Sequence, residues 1–152
     1  MSRMQDLRGE VQKLRDKNQV QRTQTEKIWR YIVKEFASFS GAKVTERSVA
    51  TKSTSDPEAA HTEGVLHVVC RDADGVFLEF DTKLSVSRPA IQPDDYCYVV
   101  SGFGITAKIN ANHPAEYHIT SYHAFYLEAL KAIPERFWMY QESAGRAVSI
   151  MQ

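Results

Sequence analysis

Through the first forty residues, apolar positions recur three and four apart. Met4, Val11, Asn18, Thr25, Ile32 and Phe39 share one position of a heptad. Leu7, Leu14, Gln21, Ile28 and Glu35 share the other. No proline breaks the run, and Gly9 is its one glycine before Gly41. The spacing predicts a single helix of about 38 residues, roughly 57 Å long at 1.5 Å per residue. Most of the other positions are Gln, Lys, Arg and Glu, which favour helix and leave those faces wet. Met4, Leu7, Val11, Leu14, Asn18, Gln21, Thr25 and Ile28 therefore read as the seam of a parallel homodimeric coiled coil. Within it, Asn18 would fix register at some cost in stability.

From Trp29 the pattern widens. Trp29, Ile32, Val33, Phe36 and Ala37 follow the i, i+3, i+4, i+7, i+8 rule of a helix packed on a domain. The expected division is a dimerisation helix over 1–27 and a globular head over 28–152, with Gly41 as a left-handed cap.

Behind the helix the period changes to two. A modest strand is expected over 42–49, followed by a polar, mobile loop over 50–64. Strands over 65–71 and 76–87 are joined by Asp72-Ala73-Asp74-Gly75, a hairpin signal. In the second, Val76, Leu78, Phe80, Thr82, Leu84 and Val86 alternate with polar residues, as in a sheet covered on one side. The run 96–109 places Cys97, Val99, Ser101, Phe103, Ile105 and Ala107 on one parity, with Gly102 and Gly104 marking a bend, a bulge or a break. On the opposite parity lie Tyr96, Tyr98 and Val100. With Phe77 these form a candidate exposed aromatic patch for a partner. Helical spacing returns from Tyr122 to Ile133, with Thr120 or Ser121 as N-cap. Pro134 is expected to stop that helix and open a second. The fold class is α+β: a long helix, an antiparallel sheet of about four strands, and two C-terminal helices.

Charge changes this picture little. Residues 1–40 carry nine Lys/Arg against five Asp/Glu, and residues 41–152 carry ten against fourteen. A weakly basic helix and an acidic head argue against direct nucleic-acid binding. Cys70 and Cys97 sit in apolar strand-like runs and read as small buried hydrophobes in a reducing compartment. No apolar run approaches membrane-spanning length and no signal peptide is evident, so an intracellular, soluble protein is expected.

The candidate chemistry is thin. The five histidines form no cluster at zinc-ligand spacing, and Asp72, Asp74 and Gly75 lack the remainder of a calcium loop. Gly102-Phe103-Gly104 lacks the third glycine of a dinucleotide fingerprint. No nucleophile–base set stands in a recognisable context. Neither a metal, nor a cofactor, nor a catalytic residue is assigned. A deep pocket lined by His118, Tyr122 and His123 would be needed to bring an enzyme back into consideration.

Several short runs carry a resemblance: Ile28-Trp29-Arg30-Tyr31-Ile32, Phe77-Leu78-Glu79-Phe80, Asp95-Tyr96-Cys97-Tyr98, and above all Leu130-Lys131-Ala132-Ile133-Pro134-Glu135-Arg136-Phe137. On these the chain resembles the RWD-type domains of kinetochore proteins, in particular the globular subunit of the monopolin family. It is also similar to the C-terminal domain of the mitotic checkpoint scaffold. The resemblance covers about residues 25–140 and implies an RWD-like head and a nuclear adaptor linking kinetochore or chromatin proteins during chromosome segregation. Two heads on one seam would turn two weak contacts into a tighter bivalent one. The competing expectation is a small inhibitor whose acidic head occludes a basic surface on its target.

Overall fold

A computed structural model describes residues 2–89, 97–110 and 122–139. Helix α1 runs over Arg3–Ser40. Ser2 opens it with a capping box: its hydroxyl accepts from the Gln5 amide, while the Gln5 side chain accepts from the Ser2 amide. Gly41 closes it in the left-handed region (φ 79°), donating to the Ala37 carbonyl at 3.0 Å.

Five strands follow, β1 (Lys43–Lys52), β2 (Ala60–Asp72), β3 (Gly75–Arg88), β4 (Cys97–Gly102) and β5 (Ile105–Asn110). They form one antiparallel meander in chain order. A helix α2 spans 122–139. The fold is therefore α+β, with five strands where about four were expected.

Two boundaries shift for identifiable reasons. β1 extends to Lys52 and β2 begins at Ala60, so the expected 50–64 loop contracts to 53–59. Thr51 and Thr62 face each other in register and share a hydroxyl hydrogen bond of 2.9 Å, which lets polar residues extend the ladder. The expected strand 96–109 breaks in two at Phe103-Gly104. Both have positive φ (56° and 78°), the signature of a type I′ hairpin turn.

Pro134 does not divide the C-terminal segment, since α2 continues through it to 139. Its missing N–H deprives the Leu130 carbonyl of its usual donor, and tertiary packing of this segment outweighs that loss. Phe137, one turn beyond the proline, stacks on Phe80 with ring centroids 4.0 Å apart. The expected caps Thr120 and Ser121 lie outside the described residues.

Both helices pack on one face of the sheet. From α1, Trp29, Ile32, Val33 and Phe36 are buried; from α2, Phe125, Tyr126, Ala129 and Ile133. They close over Leu66, Val68, Phe80, Leu84, Val86 and Val100. Phe103 is fully buried despite its left-handed backbone. Its ring contacts Phe36, Phe80 and Phe125, and its amide donates to Thr82 Oγ1 at 3.2 Å. Those contacts offset a backbone cost of about 1–3 kcal/mol. The opposite sheet face is polar, carrying His61, Glu63, His67, Glu79, Asp81 and Lys83.

Candidate functional site: an apolar pocket and an unpacked helix stripe

Where α1 ends, the β2–β3 hairpin and α2 leave an open cavity of about 430 Å³. Its floor is Ala42, Cys70, Leu78 and Ile133, and its rim carries Arg71, Phe77, Leu130, Pro134 and Trp138. Phe77 arrives there through a register break. Leu78 faces Cys70 and Val76 faces Arg71, so Phe77 is an extra residue on β3. A bulge of this kind re-aims a side chain. Phe77 and Leu78, neighbours that would point to opposite faces of a regular strand, both line the cavity. Phe77 and Trp138 remain 49% and 56% exposed. An exposed aromatic pair on the rim of an apolar cavity has the composition of a protein-binding hot spot.

One thiol and one cation mark the chemistry of the cavity. Cys70 lines it, and burial pushes the thiol above its ordinary range, away from a reactive thiolate. Arg71 forms no ion pair with any described residue, which leaves a cation at the mouth of an otherwise apolar surface. Among the described residues no cluster of His, Cys, Asp and Glu could hold a metal.

The expected partner patch is thus reorganised. Phe77 is exposed as anticipated, but Tyr98 and Val100 are buried at 1% and 0%. Val100 pairs with Val86, and residues paired across an antiparallel ladder share a face, so the core face of β3 dictates that of β4. Tyr96 lies outside the described residues. Sequence reasoning misses Trp138, Leu130 and Ile133 of α2 as pocket residues. Leu130 and Ile133 keep the helix's three-residue spacing and blend into its core stripe, while Trp138 lies five residues further on.

The expected dimer seam divides at Asn18. Met4, Leu7, Val11 and Leu14 are 36–71% exposed. From Asn18 onward the same face meets the chain's own head. The Asn18 amide donates to the Pro57 and Ala59 carbonyls, both at 3.0 Å, and its carbonyl oxygen accepts from Ser53 Oγ at 2.7 Å. Next to it Lys17 pairs with Glu58 at 2.6 Å. Gln21 accepts from Arg88, while Thr25 and Ile28 are buried. Asn18, Gln21, Thr25 and Ile28 are therefore intramolecular packing residues, and docking on the head begins about ten residues before the expected point.

Two of the residues that would have suggested an enzyme, Tyr122 and His123, lie within the described residues. Tyr122 is buried and meets Tyr31 edge to face. His123 sits against Phe39 and Tyr126, with Nε2 3.6 Å from Glu35. His118 lies outside the described residues.

No protein-family model, curated protein or solved structure matches this chain. No helix among the described residues is long and apolar enough to cross a membrane.

Proposed function

We propose that this protein is a non-enzymatic adaptor, self-associating through the exposed part of α1 and capturing a partner segment in the head pocket. The observation that carries the reading is the open apolar cavity rimmed by Phe77 and Trp138, with the Arg71 cation at its mouth. A cavity of about 430 Å³ falls within the usual range of ligand sites, about 300–1,000 Å³. Its open rim suits a side chain presented by a peptide better than a fully enclosed small molecule. Arg71 adds a preference for a carboxylate beside the apolar anchor.

The setting of chromosome segregation, with kinetochore or chromatin proteins as partners and a nuclear location, rests on the resemblance to RWD-type domains. The α–β–α order and the hydrophobic seat for a short segment support it. The alternative of an inhibitor with an acidic docking surface draws no support from the open sheet face, where His61, His67 and Lys83 stand among the carboxylates.

The test uses short peptides with one Leu or Phe anchor next to Glu, and the same peptides with Lys in its place, read by tryptophan emission. The Glu series should shift the emission saturably. Trp138→Ala should abolish the response, and Arg71→Glu should exchange preference to the Lys series. If neither series shifts the emission, pocket capture is wrong.

A further inference from the structure

We infer that two copies of this chain pair antiparallel through residues 3–17 of α1, each inserting its helix N-terminus beside the other's head. The inference rests on the self-association within the adaptor reading and specifies its geometry, which differs from the parallel pair expected from the heptads.

The argument starts from which face is free. Met4, Leu7, Val11 and Leu14 lie on the same heptad positions as Asn18, Gln21, Thr25, Ile28 and Ile32, and α1 is helical throughout. The exposed stripe is thus the continuation of the face that docks on the sheet. In a parallel, in-register pair, the second helix would run alongside this face at about 8–10 Å between axes. Beyond Leu14 that space is already filled, first by the 53–59 loop clamped to Asn18 and Lys17, then by the sheet beneath Trp29 and Ile32. A parallel seam could therefore keep only four layers. Two heptads are short for a two-stranded coil on their own. A parallel pair can add no further surface, because both heads would compete for the same space beyond Leu14.

Reversing the second helix removes the collision. With Met4 opposite Leu14 and Leu7 opposite Val11, the second copy's residues beyond Asn18 extend past the first copy's N-terminus, where the first copy's head occupies no space. Gly9 lies near the centre of the overlap on the outer face.

The structure also supplies a receptor for the arriving end. A groove of about 530 Å³ lies between α1 and the loop, lined by Val11, Leu14, Asn18, Ser53 and Pro57. In the antiparallel register the second copy's Met4 reaches Leu14 at the edge of this groove. The same contact recurs at the other end, so the interface is isologous and closes as a dimer. Both grooves add buried surface to the four layers, towards the roughly 1,200 Å² of a stable interface.

Mass and distance decide it together. The full chain is measured by light scattering up to millimolar concentration. A nitroxide is then placed at Lys27→Cys, in a background with Cys70→Ser and Cys97→Ser, for a pulsed-EPR distance. A dimer with labels roughly 54 Å apart along the axis, twice eighteen residues at 1.5 Å each, is expected. A dimer whose labels lie near the interaxial separation of about 10 Å plus the label arms would overturn the antiparallel geometry and leave self-association standing. A monomer would overturn both. The double variant Leu7→Asp/Leu14→Asp changes only exposed side chains, so the head should melt unchanged while the mass halves. Persistence of the dimer in that variant would also sink the proposal.

Discussion

The indole of Trp29 lies directly over Gly64. A β-carbon at Gly64 would stand 2.7 Å from Trp29 Cζ2 and 3.1 Å from Val49 Cγ2. Gly64 faces the irregularity in β1, where the register passes from Arg47–Val65 to Ala50–Glu63 and Ser48 adopts a left-handed φ of 53°. Trp29 is fully buried, and its Nε1–H donates to the Leu84 carbonyl at 2.8 Å, so the ring cannot withdraw cheaply. The glycine makes room for the helix to seat on the sheet. Gly64→Ala should destabilise the fold by about 1–3 kcal/mol, the usual cost of overpacking a filled site. Chemical denaturation checks this, and an unchanged midpoint would mean that the indole has room to move.

Gly9 provides the opposite case. It sits inside α1, and a methyl group added there would meet nothing within 4 Å. Glycine at this position contributes only backbone freedom to the unfolded chain, so Gly9→Ala should stabilise the helix by about 0.5–1 kcal/mol. Circular dichroism on heating would show it as increased helix content or a higher midpoint, with pocket binding unaffected.

How far the sequence can be read depends on whether its pattern carries phase. In β3, Leu78, Phe80, Leu84 and Val86 alternate with Glu79, Asp81 and Lys83, so both the strand and its buried face are explicit. In β4 both parities are apolar or small, and only the pairing of Val86 with Val100 tells which faces the core. The heptads of α1 specify the helix but not its partner: Asn18 at a seam position and Asn18 bonded to a loop look identical in sequence. The parity of Phe77 sets it apart from the core residues of β3, but its place beside Leu78 on the cavity rim follows from the bulge. The pocket beside it needs a one-residue bulge and a helix some sixty residues away, neither of which local patterning encodes.

Tyr31 should titrate far from an ordinary tyrosine. The Glu35 carboxylate beside its phenol acts first, partial burial and the carboxylate's charge act in the same direction, and its pKa is pushed up to about 12. Because the folded value lies above the unfolded one, near 10, the associated stability is present in full below about pH 10. It is lost as pH rises toward about 12. Ultraviolet phenolate absorbance should show one transition near that value, removed by Tyr31→Phe and moved down by Glu35→Gln. If Glu35→Gln leaves the transition in place, the carboxylate is not its cause.

On the open sheet face His67 is held by two carboxylates, with Nδ1 2.7 Å from Asp81 and Nε2 2.8 Å from Glu79. Both nitrogens can donate only when the ring is protonated. Asp81 first and Glu79 second raise the pKa of His67, against partial desolvation and the charge of Arg47. A folded pKa above the unfolded value near 6.5 gives stability that is complete below about that pH. It declines as pH rises through the folded value. Solvent reaches both carboxylates, so the effect should be modest. His67→Gln should therefore lower the denaturation midpoint more at mildly acidic than at alkaline pH, and Asp81→Asn should move the His67 ring titration down in an NMR series. Equal losses at both pH values would mean that His67 contributes through its packing between β1 and β3 rather than through its charge.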